Sequence, residues 1–133
     1  MAAKKNFSSV STLLREGGKN SYRLYCSYDN CESLVVSPNV AILQRRPVIS
    51  SQHLQEKLLD SSNGQLELDW SWVLYDPFEF DNIGFSKSSN SGIKYLACAD
   101  CDRGPLGYHD ENYRDADGRK EYLLTASMVK YQI

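Results

Sequence analysis

After residue 22 the apolar positions of this chain recur mostly at every second residue, and helical spacing is scarce. The clearest run is Leu68 to Tyr75, where Leu68, Trp70, Trp72 and Leu74 alternate with Asp69, Ser71, Val73 and Tyr75. That period of two predicts a strand with both tryptophans on its inward face. Leu34 to Leu43 is apolar and β-branched but broken by Ser37-Pro38-Asn39, which predicts two short strands around a turn. Ile93 to Cys98 reads as another short strand. Glu121 to Tyr131 reads as a single closing strand, with Tyr122, Leu124, Ala126 and Met128 on one side. Leu54 and Leu58 are spaced for one helical turn, which Asp60-Ser61-Ser62-Asn63-Gly64 would end; residues 50–66 read as a surface excursion.

The first 21 residues are polar and rich in Ser, Lys and Gly. Ser11 to Glu16 has the makings of one helical turn stopped by Gly17-Gly18, with Leu13 and Leu14 as its adhesive residues. The expected organisation is a flexible N-terminal arm, 1–21, followed by one β domain, 22–133. The fold class is mainly β, with curved sheets closed beside a metal knuckle.

Composition bounds the function. A chain of 133 residues with 41% hydrophobic content is most simply one domain with its own core. Its formal charge is −2, which argues against a nucleic-acid module, since those carry a basic stripe. No apolar run has the length of a signal peptide or of a spanning helix, so a cytoplasmic protein, not inserted in a membrane, is expected.

All four cysteines fall into two close pairs, Cys26/Cys31 and Cys98/Cys101. Such pairs suit one tetrahedral Zn²⁺ held by four sulfurs, because each short gap lets a turn aim two side chains at one point. The second gap has the usual two residues; the first has four. A redox pair, disulfides and unrelated buried thiols are the rival readings. Disulfides do not persist in a reducing compartment, and each rival has to explain why no cysteine stands outside a pair. A structural metal joining the pairs would staple most of the fold.

Between Tyr75 and Phe85, three phenylalanines alternate with acidic residues and end at Asn82-Ile83-Gly84. These aromatics either fill the core or form a partner-binding ridge, and Pro77 favours an exposed loop. Asp100 lies inside the second cysteine pair, where a knuckle turn presents its carboxylate at the surface. His53 and His109 have no nucleophile near them in sequence, and no phosphate-cradling glycine loop is present, so covalent catalysis is not expected.

Three ordered pieces resemble a known family: Asp81-Asn82-Ile83-Gly84-Phe85; Ile93-Lys94-Tyr95-Leu96-Ala97-Cys98-Ala99-Asp100-Cys101; and Gly104-Pro105-Leu106-Gly107-Tyr108-His109. Together with the first cysteine pair and Leu43-Gln44-Arg45-Arg46, they resemble the Rab-interacting factors, small zinc proteins found as suppressors of Sec GTPase defects. The resemblance implies a β-rich fold with one Cys₄ zinc, and a monomer that binds a nucleotide-free Rab-type GTPase of secretion and promotes GDP release. It places GTPase contacts at Asp76, Phe78, Asn82 and Asp100, with Pro77, Phe80, Asp81, Ile83 and Gly84 as their neighbours. The wide first cysteine gap is similar to fungal members, whereas Tyr108 and Pro77 depart from the tryptophan and methionine of animal ones. Two other classes compete. A methionine sulfoxide reductase-like protein would need a nucleophilic cysteine beyond the metal set, and a zinc-ribbon nucleic-acid binder would need a basic face.

Overall fold

The computed structural model describes residues 5–28, 30–47, 68–87 and 92–132. The segment expected to be a surface excursion, 50–66, lies outside them. Nine strands are described: β1 (Arg23–Cys26), β2 (Leu34–Val36), β3 (Ile42–Pro47), β4 (Leu68–Leu74), β5 (Gly84–Phe85), β6 (Ile93–Ala97), β7 (Gly107–Asp110), β8 (Tyr122–Thr125) and β9 (Val129–Gln132). They form two sheets of antiparallel pairs, one ordered β2-β1-β9 and the other β3-β4-β8-β7-β6-β5.

One core joins the sheets. Leu24, Val36 and Tyr131 from the smaller sheet pack in one cluster with Trp72, Leu74, Leu96 and Leu124 from the larger. A buried hydrogen-bond chain crosses the same space. Trp72 Nε1–H donates to the Tyr131 hydroxyl at 2.8 Å, and that hydroxyl donates to the Ala126 carbonyl at 2.7 Å. Both aromatic polar tips are thereby satisfied where no water reaches them. The opposite face of the larger sheet carries a second cluster of Val73, Ile93, Tyr108 and Leu123. Gly107 is fixed by this packing, because a Cβ there would lie 1.8 Å from the Leu123 carbonyl oxygen on the neighbouring strand.

Three expectations change. Along β4, Trp72 is buried and Trp70 packs against the core, but Leu68 is 55% exposed, and Val73, expected outward, is fully buried. The sheet is covered on both faces along this strand, so alternation could not separate inside from outside. The supposed single closing strand is two strands. A 3-10 turn at Ala126–Met128 carries the chain from the larger sheet to the smaller one. Lastly, residues 5–20 pack as part of the domain. Helix α1 (Phe7–Val10), capped by Asn6, buries Val10 completely and sets Phe7 6.1 Å from Tyr131. Lys5 exchanges two 2.7 Å backbone hydrogen bonds with Tyr131. Asn20 is wholly buried with its amide fully used, donating to the Tyr22 and Ser37 carbonyls and accepting from the N–H groups of Val40 and Ala41.

Candidate functional site

The four cysteines come from both sheets. Cys26 ends β1 and Cys31 lies in the loop toward β2, while Cys98 follows β6 and Cys101 closes the next turn. Their ligand sulfurs all lie within 4.8 Å of one another. Cys26 Sγ is 3.7 Å from Cys101 Sγ, and Cys31 Sγ is 3.6 Å from Cys98 Sγ. A tetrahedral ion with metal–sulfur bonds of about 2.3 Å separates its ligands by roughly 3.8 Å, so the donor set fits one metal. A disulfide would need a sulfur–sulfur distance of about 2.05 Å, and all four cysteines are free.

Each pair sits on a backbone knuckle. The Cys31 N–H donates to the Tyr28 carbonyl, and the Asp102 N–H donates to the Cys98 carbonyl. Asn30 and Asp102 take the left-handed conformation that lets each turn close, with φ of 64° and 58°; Asn and Asp tolerate it better than most residues. Burial pushes the Cys26 thiol well up, partly offset by a backbone hydrogen bond from Tyr28. Burial also opposes ionisation of Cys101, yet the backbone N–H and guanidinium of Arg103, with the neighbouring thiols, bring it down to about 6. Four sulfurs this close cannot all be thiolates without a cation between them.

The aromatic loop is bolted to the second knuckle. The Asn82 side chain donates from Nδ2 to Cys98 Sγ at 3.3 Å and accepts at Oδ1 from the Ala99 N–H at 2.9 Å. Upstream, Pro77–Glu79 forms a 3-10 turn held by a capping box. Asp76 Oδ1 accepts from the Phe78 N–H at 2.8 Å, and Glu79 Oε1 accepts from the N–H groups of Tyr75 and Asp76. Downstream, the Asp81 N–H donates to the Val35 carbonyl, and the Ser37 hydroxyl donates to Asp81 Oδ2 at 2.6 Å. The loop is thus tied to the larger sheet, the smaller sheet and the metal knuckle. Its tip carries Phe78, which is 93% exposed.

A groove runs from this tip to the knuckle. Of the residues singled out in the sequence, Pro77, Phe78, Phe80, Asp81, Asn82, Ile83 and Asp100 line it. Asp76 lies outside, its carboxylate engaged as the cap of the turn. Gly84 belongs to the ladder, paired with Ala97. Phe80 forms floor rather than ridge, because it is a buried member of the core. Asp100 is exposed, and its carboxylate accepts from the Ser33 hydroxyl across the two knuckles. Leu34, Phe85 and Ala99 complete the lining. The sequence carried a signal for Phe85, as the third phenylalanine of the run, but none for Leu34, which arrives from the other sheet.

Fold and site define a mainly β protein whose two sheets meet at a four-cysteine cluster able to hold one metal ion, beside an aromatic loop. The chain belongs to the Mss4 protein family, whose model matches residues 19–130. It is 36% identical over 111 residues to the guanine nucleotide exchange factor MSS4 homolog of Schizosaccharomyces pombe, covering 84% of this chain and 98% of that protein. It is 37% identical over 97 residues to the MSS4 homolog of Drosophila melanogaster, covering 73% and 78%. Protein DSS4 of Saccharomyces cerevisiae is 29% identical over 111 residues, covering 62% and 76%. Among the described residues no helix is long and apolar enough to cross a membrane.

Proposed function

We propose that this protein is a cytoplasmic guanine nucleotide exchange factor and chaperone for a Rab-type small GTPase, acting as a monomer on the nucleotide-free form. Relatives bearing the exchange-factor name support the class. The observation that carries the site is Phe78, nearly fully exposed on a turn whose every anchor is a hydrogen bond. A monomeric core protein gains nothing by holding an aromatic ring in water. A docking surface gains a rigid anchor with little entropy left to lose.

Cys26, Cys31, Cys98 and Cys101 would hold one Zn²⁺, which supplies structural cross-linking when bound and no open position for chemistry. No covalent step is required of this protein. A GTPase holds its nucleotide with backbone amides, Mg²⁺ and ordered switch loops. A protein that binds the loosened, empty form better than the loaded form shifts the population by that difference, and nucleotide and exchange factor then bind with negative coupling. Phe78 would take apolar groups exposed when the switch region opens, over a floor of Phe80 and Ile83. Asp100 and Asp81 at the groove would compete for basic groups that otherwise serve phosphate. Asn82, Gly84 and Asp76 position the loop, and Pro77 shapes its tip.

Burying a phenylalanine side chain is worth about 1.5–3 kcal/mol, so Phe78→Ala should weaken capture of the empty GTPase roughly 10- to 100-fold. The test is a pull-down from cytosol stripped of nucleotide with EDTA, followed by fluorescent-GDP release from the captured protein. A Rab-type GTPase that binds, and is released on adding GTP, supports the reading. Phe78→Ala and Asp100→Ala should slow GDP release while leaving metal content and circular dichroism unchanged. Wild-type rates in both variants would overturn the assignment.

A further inference from the structure

On the other side of the Pro77 and Phe85 ridge lies a second pocket of about 250 Å³, of opposite character. Phe85, Lys94, His109 and Tyr122 line it from four successive strands of the larger sheet, and Arg114 and Lys120 reach it from the connection between β7 and β8. Among the described residues Glu111 is the single carboxylate in the lining, and it pairs with Lys94 at 3.3 Å. Three cations against one carboxylate is a local reversal in a chain whose net charge is −2. Lys94 is already partnered, and Arg114 uses one terminal nitrogen on the carbonyls of Glu111 and Tyr113, which among the described residues leaves its other donors available.

The floor is a polar group that the fold itself does not use up. His109 is 4% exposed and stacks on Tyr122 at 4.2 Å. Its Nδ1 lies 2.8 Å from the Glu121 carbonyl, which can only accept, so Nδ1 carries hydrogen. Nε2 has no hydrogen-bond partner among the described residues. No fully buried side-chain nitrogen or oxygen lacks a partner in those residues, and His109 lines the pocket. With hydrogen on Nδ1 the neutral ring presents an acceptor at Nε2, so an oxygen-bearing anionic group is drawn by the Arg114 and Lys120 cations of the rim and not by the imidazole.

Size narrows the occupant. Pockets for drug-sized ligands run from roughly 300 to 1,000 Å³, so a cavity of about 250 Å³ suits one side chain better than a nucleotide. We propose that this pocket is a second docking site that takes an aspartate or glutamate side chain from an acidic segment of the GTPase seated in the neighbouring groove. This rests on the functional reading above. Both sites share Pro77 and Phe85 as walls, so one partner surface covers them together. An acidic and aromatic groove beside a cationic pocket fixes the direction in which that surface lies, since reversing it would oppose like charges.

The test uses the nucleotide-free GTPase captured by the wild-type protein. Arg114→Glu combined with Lys120→Glu changes two exposed side chains and should weaken that capture at least tenfold. It should also flatten the dependence of affinity on salt, with metal content and thermal melting as in the wild type. In the wild type, the His109 ring proton resonances should shift on adding the GTPase. Wild-type affinity and salt slope in the double variant would overturn the inference while leaving the functional reading intact. Failure of the wild-type protein to capture any GTPase would overturn both. Saturable shifts of His109 with inorganic phosphate at submillimolar concentration, and none with the GTPase, would reassign the pocket to a phosphate group and overturn the acidic segment.

Discussion

The amide of Asn82 donates to the sulfur of Cys98 at 3.3 Å while its carbonyl accepts from Ala99, so a single side chain joins the aromatic loop to the four-cysteine cluster. A hydrogen bond to a ligating thiolate orients it and spreads its charge, and loss of such outer partners typically costs 10- to 100-fold in metal affinity. Asn82→Ala should lower affinity by about that factor, read by competition with a chromophoric chelator. The same variant should slow GDP release more than the small loss of groove area explains, because the Phe78 turn loses its tether. Unchanged metal affinity would separate loop from knuckle.

Removing the metal should unfold much of the protein. A structural zinc supplies about 10–16 kcal/mol in small peptides, comparable with the 5–15 kcal/mol net stability of a whole domain. Here one cysteine pair adjoins the smaller sheet and the other follows a strand of the larger one. Chelation should therefore collapse the thermal transition and expose the Trp72 core to quencher, and Cys98→Ser should do the same without chelator. Retention of a cooperative melt in metal-free protein would contradict this.

The Trp72 to Tyr131 hydrogen bond makes a sharper stability prediction. Tyr131→Phe strands the indole N–H and the Ala126 carbonyl in a dry core, which should cost about 1–3 kcal/mol in urea unfolding. The effect has a pH signature. Burial holds the Tyr131 hydroxyl well above its ordinary 10.0, only partly offset by the bond from Trp72, and burial does the same to Tyr108. A raised folded value means that the stability contribution is complete below pH 10 and is lost as pH rises toward that value. Alkaline unfolding should start above about pH 10 in the wild type and be less steep in Tyr131→Phe.

Asn20 should matter far more than a polar residue near the N-terminus suggests. Its side chain makes four hydrogen bonds with no solvent access, so Asn20→Ala leaves buried donors and acceptors unpaired. A loss of at least about 2 kcal/mol is expected in urea unfolding, alongside a lower melting temperature. A neutral result would mean that residues 5–20 contribute little to the folded state.

The contrast between Asn20 and the cysteines explains what was legible. Two spaced pairs of thiols declare a tetrahedral site because few other chemistries need that pattern. The short strands Leu34–Val36 and Ile93–Ala97 were equally readable from β-branching and flanking turns. Long-range satisfaction leaves no local mark. Asn20 looks like any loop asparagine until Ser37 and Ala41 close around it. Phe7 and Val10 stand in a serine-rich run whose average polarity conceals two anchors three residues apart. Tyr131 and Tyr122 looked like one strand because alternation continues through a turn that changes sheets. In the candidate site, composition marked the aromatic loop but could not separate Phe78, at 93% exposure, from Phe80, at 9%. Only the turn geometry does that.

Strand β5 is just two residues long and forms the border of the larger sheet beside the groove. An incoming strand would find very few free main-chain groups there, too short a rail for sheet extension. This border therefore offers projecting side chains and the rigid turn in place of a main-chain rail, and the brevity of β5 makes it a poor template for self-association along that margin.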